Sequence, residues 1–552
     1  MVSARVKAFG SSISSPSLPK SSDGDFSVPE VAVRDRRTLE IRSFYPLPRG
    51  EKEERGYSLD SYLFIPNSFQ ISEDTFSSDD FYRAAQVWMR VQAKGLTLDA
   101  LNDLRKKRNP AFILRKAMDA LLEDDAPALQ SLQTLAQMFG AELADAIRRE
   151  SRHLHDHLDA MQAVAKRAKK NTGTAQVDAH LFDHLEESVT HLCEQSVRAL
   201  GVLHRVRSKA LAYRGVVHRH LFSSLGFAEE YGTAILDEEL ALLGQRIDDL
   251  PFLRDGTGRA CRLRLKIAHA ANEVNQRRIE RGFGVPWGKS PEYFSYRIGL
   301  IKKELQRSLY IDTRGDGRDP FVANSAAMVA AGLAATWATL AQLPLWTGGW
   351  SSSEGVWFLF VAVGAYVLKD RIKEWSRNVL VRRFVQWDHR RKIVGQALAA
   401  VGLGSFSGHV RESMRFVDEN GIPKSIQEVR TAHRTVRGIE PELEQVLLHK
   451  REVTFLHEQK VPRGYGVQEV YRISFDNMLK RLDDPLDQVS FYDHSTGQFS
   501  SREMPKVYHI NLILRSTCLY TKTQHLLRLR VVLNRKGILR VDPVHQSQER
   551  VE

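Results

Sequence analysis

Cysteine is scarce and unpaired: Cys193, Cys261 and Cys518 are three in 552 residues, far apart and odd in number. Such spacing excludes a disulfide framework and a paired Cys-x-x-Cys metal knuckle, and it suits a reducing compartment. A secretory signal is missing as well. The first residues are rich in Ser and Pro and carry Arg5, Lys7 and Lys20 before the first acid at Asp23, but they have no apolar central run. Organelle transit peptides share that composition; a disordered tail over residues 1–35 is the simpler reading.

Intact catalytic motifs are absent too. GFGVPWGKS ends like a phosphate-binding loop at Gly288-Lys289-Ser290, but Phe283 occupies the place of the first Gly and a helical pattern precedes it, so the segment reads as a helix-to-helix turn. DTRGDGRD, from Asp312 to Asp319, lacks the alternating oxygen ligands of a calcium loop and has Ala323 where the closing Glu belongs. Asp493-His494-Ser495 holds the letters of a triad side by side. Triads are assembled from distant positions, so a hairpin turn is expected there.

What is present is a long, basic, foldable chain. A single core stops growing at roughly 250–300 residues, so several units are expected. Lys and Arg number 80 against 67 Asp and Glu, a formal charge of +13 that favours anionic partners.

From Phe321 to Ser353 there is no Asp, Glu, Lys or Arg. That run is long enough to predict one membrane crossing, and VWFLFVAVGAYVL from Val356 to Leu368 predicts a second, with Pro344, Gly348 and Gly349 breaking the helix between them. Basic residues on both outer flanks place both large regions on the cytoplasmic side of an inner or plasma membrane. A basic helix is expected from Lys369 to about Val401, with Lys369, Arg371, Lys373, Arg377, Arg382, Arg383, Arg390, Arg391 and Lys392 as contacts to anionic lipid. Lipid outranks nucleic acid as the partner of this charge.

Elsewhere the pattern is helical, then stranded. RTLEIRSFYPL and YSLDSYLFIPNSFQI around a charged turn predict a small β-hairpin, and FYRAAQVWMRVQAKG and APALQSLQTLAQMFGAELADAIRR predict helices. From Val177 to Leu221 heptads appear: Leu185, Leu192, Ala199, Val206 and Tyr213 fill one seam position, Val189, Ser196, Leu203, Ala210 and Val217 the other. The small seam residues favour pairing within the chain over pairing between chains. In the last third, VYRISF, VYHINLIL and LLRLRVVL predict an antiparallel sheet buried on one face, with a helix around Pro441–Leu456.

Histidines supply the one candidate metal site. His180, His184, Glu187 and His191 share a helix face, and His153 and His157 lie one turn apart on another helix, so His153, His157, His180, His184 and Glu187 are the ligands to test for zinc or iron. A polar face with solvated histidines is the plainer account.

The expected fold class is therefore α+β and membrane-anchored: a mostly helical N-terminal bundle, a two-helix transmembrane hairpin and a C-terminal antiparallel α+β domain. The divisions fall at 1–35 (tail), 36–75 (β-hairpin), 76–312 (helical), 313–370 (membrane hairpin), 371–403 (basic helix) and 404–545 (α+β). The expected function is a non-enzymatic interaction, signalling or scaffold protein with a protein partner or as a homo-oligomer. A metal-dependent enzyme at the histidines and a membrane-disrupting effector are the alternatives.

Overall fold

The computed structural model describes residues 28–47, 55–93, 97–103, 114, 126–172, 179–212, 219–249, 258–288, 290–315, 318–347, 355–384, 389–395, 406–432, 444–457 and 465–550. Fourteen strands and eleven α-helices are defined among them. In chain order the strands are β1 (Glu30–Val33), β2 (Thr38–Pro46), β3 (Arg55–Pro66), β4 (Ala85–Ala93), β5 (Asp312–Gly315), β6 (His389–Gly395) and β7 (Phe406–Val417). There follow β8 (Glu444–His457), β9 (Tyr465–Ser474), β10 (Leu486–Asp493), β11 (Gln498–Pro505), β12 (Tyr508–Cys518), β13 (Thr523–Asn534) and β14 (Gly537–Arg550). The helices are α1 (Ser78–Ala84), α2 (Leu98–Asn102), α3 (Ala126–Thr172), α4 (Ala179–Ala212), α5 (Arg219–Asp248), α6 (Gly258–Glu280), α7 (Pro291–Arg307), α8 (Arg318–Thr347), α9 (Gly355–Phe384), α10 (Lys424–Thr431) and α11 (Asp476–Leu479).

Two antiparallel sheets face each other. One has the order β1-β2-β9-β4, the other β14-β13-β12-β3-β8-β7-β6-β5. Leu39, Ile41, Tyr471 and Ile473 of the smaller sheet share one core with Leu59, Leu63, Leu447, Leu512 and Leu529 of the larger. The larger sheet is buried on its outer face too, where Ile422, Ile426 and Val429 of the α10 region cover Tyr62, Phe64, Leu448 and Ile513. Leu527, Leu529, Val531 and Leu533 do lie on one side of β13, as their alternation predicts. Arg528, on the other side, is nevertheless buried and donates to the Val429 carbonyl at 2.7 Å. The sheet is thus covered on both faces, not half buried.

Helices α3 to α7 form the expected bundle, and its core runs on into Tyr57, Met89, Val91, Tyr465 and Phe455 of the sheets. The described part of the heptad seam is buried within the chain: Leu185, Val189, Leu192, Ser196, Ala199, Leu203, Val206 and Ala210 are all inaccessible, and Tyr213 and Val217 lie outside the described residues. Gly140 lets α3 approach α5 closely, because a Cβ there would meet Ala228. The turn after β13 is closed by Gly537 at φ +136°, a conformation that side chains resist.

Several expectations are corrected. The membrane hairpin is overturned: no helix among the described residues is long and apolar enough to cross a membrane. α8 has the length, but its uncharged run is built of Ala, Gly and Thr with Asn324, Ser325 and Gln342, and lack of charge is not the same as strong apolarity. The apolar part of α9 stops at Lys369. With the crossings go the membrane-anchored fold class and the multi-pass, cytoplasmic-termini localisation. β2 and β3 do not pair with each other; β2 lies between β1 and β9, and β3 between β12 and β8. Ala85–Ala93 and Glu444–His457 are strands where helices were expected, and the basic helix ends at Phe384, with 389–395 a strand. Glu30–Val33 is a strand inside the expected tail.

Candidate interaction surface

The feature with the plainest functional chemistry is the hairpin α8–α9. It is inserted in the connection between β5 and β6, two short strands that pair at the end of the larger sheet, Gly315 opposite Arg391. Each helix packs chiefly on the other. The seam between them is thin on α8, where Ala330 is 0% and Ala334 1% exposed. Thr336 and Thr339 turn their hydroxyls back to the Gly332 and Ala335 carbonyls at 2.9 Å, and so offer little to solvent.

The large apolar side chains point elsewhere. Val329, Leu333, Trp337 and Leu340 follow one another at intervals of four, four and three along α8, and Phe360, Val363 and Val367 at three and four along α9, which makes a continuous stripe on each helix. Among the described residues, eleven large apolar side chains on the pair are each between 41% and 75% exposed. They are spread over the outer sides of both helices, with the two stripes as the ordered part.

Among the described residues, the basic side chains assigned to lipid contact fall on two separate elements. Lys369, Arg371 and Lys373 stand on α9, where Arg371 lies 4.0 Å from Glu374. Arg390, Arg391 and Lys392 belong to β6, Arg390 opposite Arg411 and Lys392 opposite both Arg314 and His409. The side chains of Arg377, Arg382 and Arg383 lie outside the described residues.

The histidines are partly brought together. The rings of His157 on α3 and His184 on α4 approach to 6.4 Å between centroids. His153, His180 and Glu187 are exposed, and no group of three or more His, Cys, Asp or Glu side chains among the described residues is arranged to hold a metal. His191 has different partners. Its Nε2 lies 2.9 Å from Asp99 and its Nδ1 3.3 Å from Glu150, which ties α2 and α3 to α4. Burial lowers its pKa, but the hydrogen bond and charge of Asp99 with the charge of Glu150 outweigh it, and the net shift is upward. Beside it an open groove of about 540 Å³ is lined by Asp183, Glu186, Glu187, Glu194 and Lys266. Lys266 binds Glu186 at 2.6 Å.

The sequence reading missed two buried polar clusters. Between the sheets, Arg451 on β8 donates to Glu412 on β7 and to Glu469 on β9, and Glu469 also accepts from the Tyr57 hydroxyl at 2.7 Å. His449, one pleat away, is stacked on Tyr471 at 5.1 Å with Phe81 at 4.9 Å, and neither ring nitrogen has a hydrogen-bond partner. Burial drives its pKa down to about 3. In the bundle, Glu229 and Glu230 on α5 are buried, with Arg207 and Arg281 on the first and Arg297 bidentate at 2.7 Å on the second. The available signal was polar residues interrupting apolar alternation: Glu412, Arg451 and Glu469 all fall on inward positions of their strands. Comparison with known protein families, curated proteins and solved structures returns no match.

Proposed function

We propose that this protein works by docking rather than by chemistry: a rigid body of two sheets and a helical bundle carries the α8–α9 hairpin as a contact element for a protein partner with a complementary apolar helical surface. The observation that carries this is the apolar stripe on each hairpin helix, left uncovered by the rest of the chain. Burial stabilises at about 25 cal/mol per Å², so covering a stripe of large apolar side chains drives association once a fitting partner arrives. The polar clusters support the same reading. Arg451 with Glu412 and Glu469, and Glu229 and Glu230 with their arginines, are paired within the fold and hold its layers together.

The test is removal of residues 318–384, with β5 and β6 joined by a short Gly-Ser loop. Because the hairpin sits inside the connection of two paired strands, the body is expected to keep its thermal transition within a few degrees and to lose most of its retention on a hydrophobic-interaction column. Loss of the cooperative transition would show that the hairpin is part of the folding core, and the docking reading would fall.

A further inference from the structure

We infer that the outward face of β5, β6 and β7, at the root of the hairpin, binds the phosphate backbone of a nucleic acid. This surface is distinct from the apolar stripes, and the inference does not rest on the docking reading.

The first observation is a pairing of like charges. In antiparallel strands directly opposed residues share a face, and Arg314 on β5 is opposite Lys392 on β6, which is opposite His409 on β7. Two residues along β6, Arg390 is opposite Arg411. Ile393 and Val410, which alternate with these positions, point the other way into the core. Cations directly opposite one another destabilise a sheet. A single cation on an edge strand guards against stray pairing, which accounts for Arg314 but not for the charges on the two strands behind it. Arg411 does reach Glu452, at 3.5 Å. Arg390 has its Nε buried with no hydrogen-bond partner among the described residues.

The layout of these charges selects the class of ligand. Opposed residues on neighbouring strands are about 4.8 Å apart in the sheet, and alternate residues of one strand about 6.8 Å. The cations are therefore spread over a flat area, which suits an extended polyanion better than a single oxyanion. Protein interfaces have an apolar or aromatic centre depleted of charge, and the two rows hold no apolar side chain, so an acidic protein surface is the poorer fit. Guanidinium groups, by contrast, match phosphate oxygens two at a time. With no aromatic ring in the rows for a base to stack on, the contact is to the backbone and carries no base preference. The formal charge of +13 attracts the same polyanion from a distance.

The experiment is fluorescence anisotropy of the full chain with a labelled DNA single strand of about 20 nucleotides, and with the duplex of the same length, long enough to cover both rows. The parent is compared with the triple change Arg314→Gln, Arg390→Gln and Lys392→Gln. If these three and Arg411 each neutralise one phosphate, single-strand affinity is expected to fall about 50-fold between about 50 and 200 mM salt, and duplex affinity more steeply. The triple variant is expected to bind at least about tenfold more weakly at about 50 mM salt, with a single-strand salt slope shallower by about 2. Its melting temperature is expected to hold or rise, because opposed like charges have been removed; a purely structural role for the three side chains would lower it. Arg314→Gln alone, at an exposed edge position, is expected to leave melting unchanged and to flatten the single-strand slope by about 0.7, which keeps the test open if the triple variant misfolds. A parent that binds neither oligonucleotide overturns the inference, as does a folded triple variant that binds like the parent. Polyglutamate bound as tightly as the oligonucleotide overturns it in favour of an acidic protein segment. Phosphatidylserine vesicles bound in preference to both overturn it in favour of a lipid surface.

Discussion

At the scale of single residues, two buried ionisable groups pull the stability of the fold in opposite directions with pH. His449 is kept neutral by burial, its pKa at about 3 against 6.5 for a free imidazole. The unfolded chain therefore binds the extra proton between those values, and stability is lost as pH falls from 6.5 toward 3, by on the order of 5 kcal/mol in all. Glu142, on α3 against Tyr465, is pushed up to about 8 by burial, against the lowering influence of the Tyr465 hydroxyl and Arg149. Here the folded state holds the proton, so stability is present below 4.5 and lost as pH rises through 8. His449→Phe should keep the stacking on Tyr471 and flatten the acid side of a plot of urea midpoint against pH; Glu142→Gln should flatten the alkaline side. If both variants trace the parent curve, other groups govern the pH response.

At the scale of elements, the closest helix crossing makes a differential forecast. A methyl at Gly140 would collide with Ala228 on α5, so Gly140→Ala should cost about 1–3 kcal/mol despite the better helix propensity of Ala. At Gly201 on α4 the nearest atom to an added Cβ is the Arg205 guanidinium at 3.7 Å, and Gly201→Ala should gain up to about 1 kcal/mol. Equal effects in denaturant titrations would contradict the crossing. The bundle was legible in the sequence because Leu185 to Ala210 keep one period over seven turns and pack against neighbours close in the chain. β4 was not, because Ala85–Ala93 satisfies two periods: Val87, Met89 and Val91 alternate, while the flanking residues also fit three and four. β8 was hidden for another reason. It is covered on both faces, so Val446 and Leu448 point one way and Leu447, Val453 and Phe455 the other, and the run loses the alternation that marks a strand with one wet side. The hairpin shows the reverse error. Its helices and their pairing are readable from Pro344, Gly348 and Gly349, but absence of charge predicts a membrane span that so alanine-rich a run is not apolar enough to make.

At the scale of the molecule, the sheets join the two ends of the chain. β3 completes the larger sheet between β12 and β8, and β2 and β4 flank β9 in the smaller, so the C-terminal third does not hold its own core. A fragment of residues 404–552 is expected to show no cooperative melting, and fusing residues 28–93 to it should restore a transition; a fragment that melts cooperatively alone would refute this. The same closure sets an order on synthesis. Tyr57 and Glu469, hydrogen-bonded across the sandwich, are separated by 412 residues. At about 5–20 residues per second the ribosome needs roughly 20–80 s to make that interval. Through it β3 has emerged without either strand partner and β2 with only the short β1, while the helices that follow, built on local contacts, can fold at once. The nascent chain therefore carries unpaired apolar strands at its leading end for most of its translation, and a chaperone that shelters extended segments is the cellular factor on which its yield should depend.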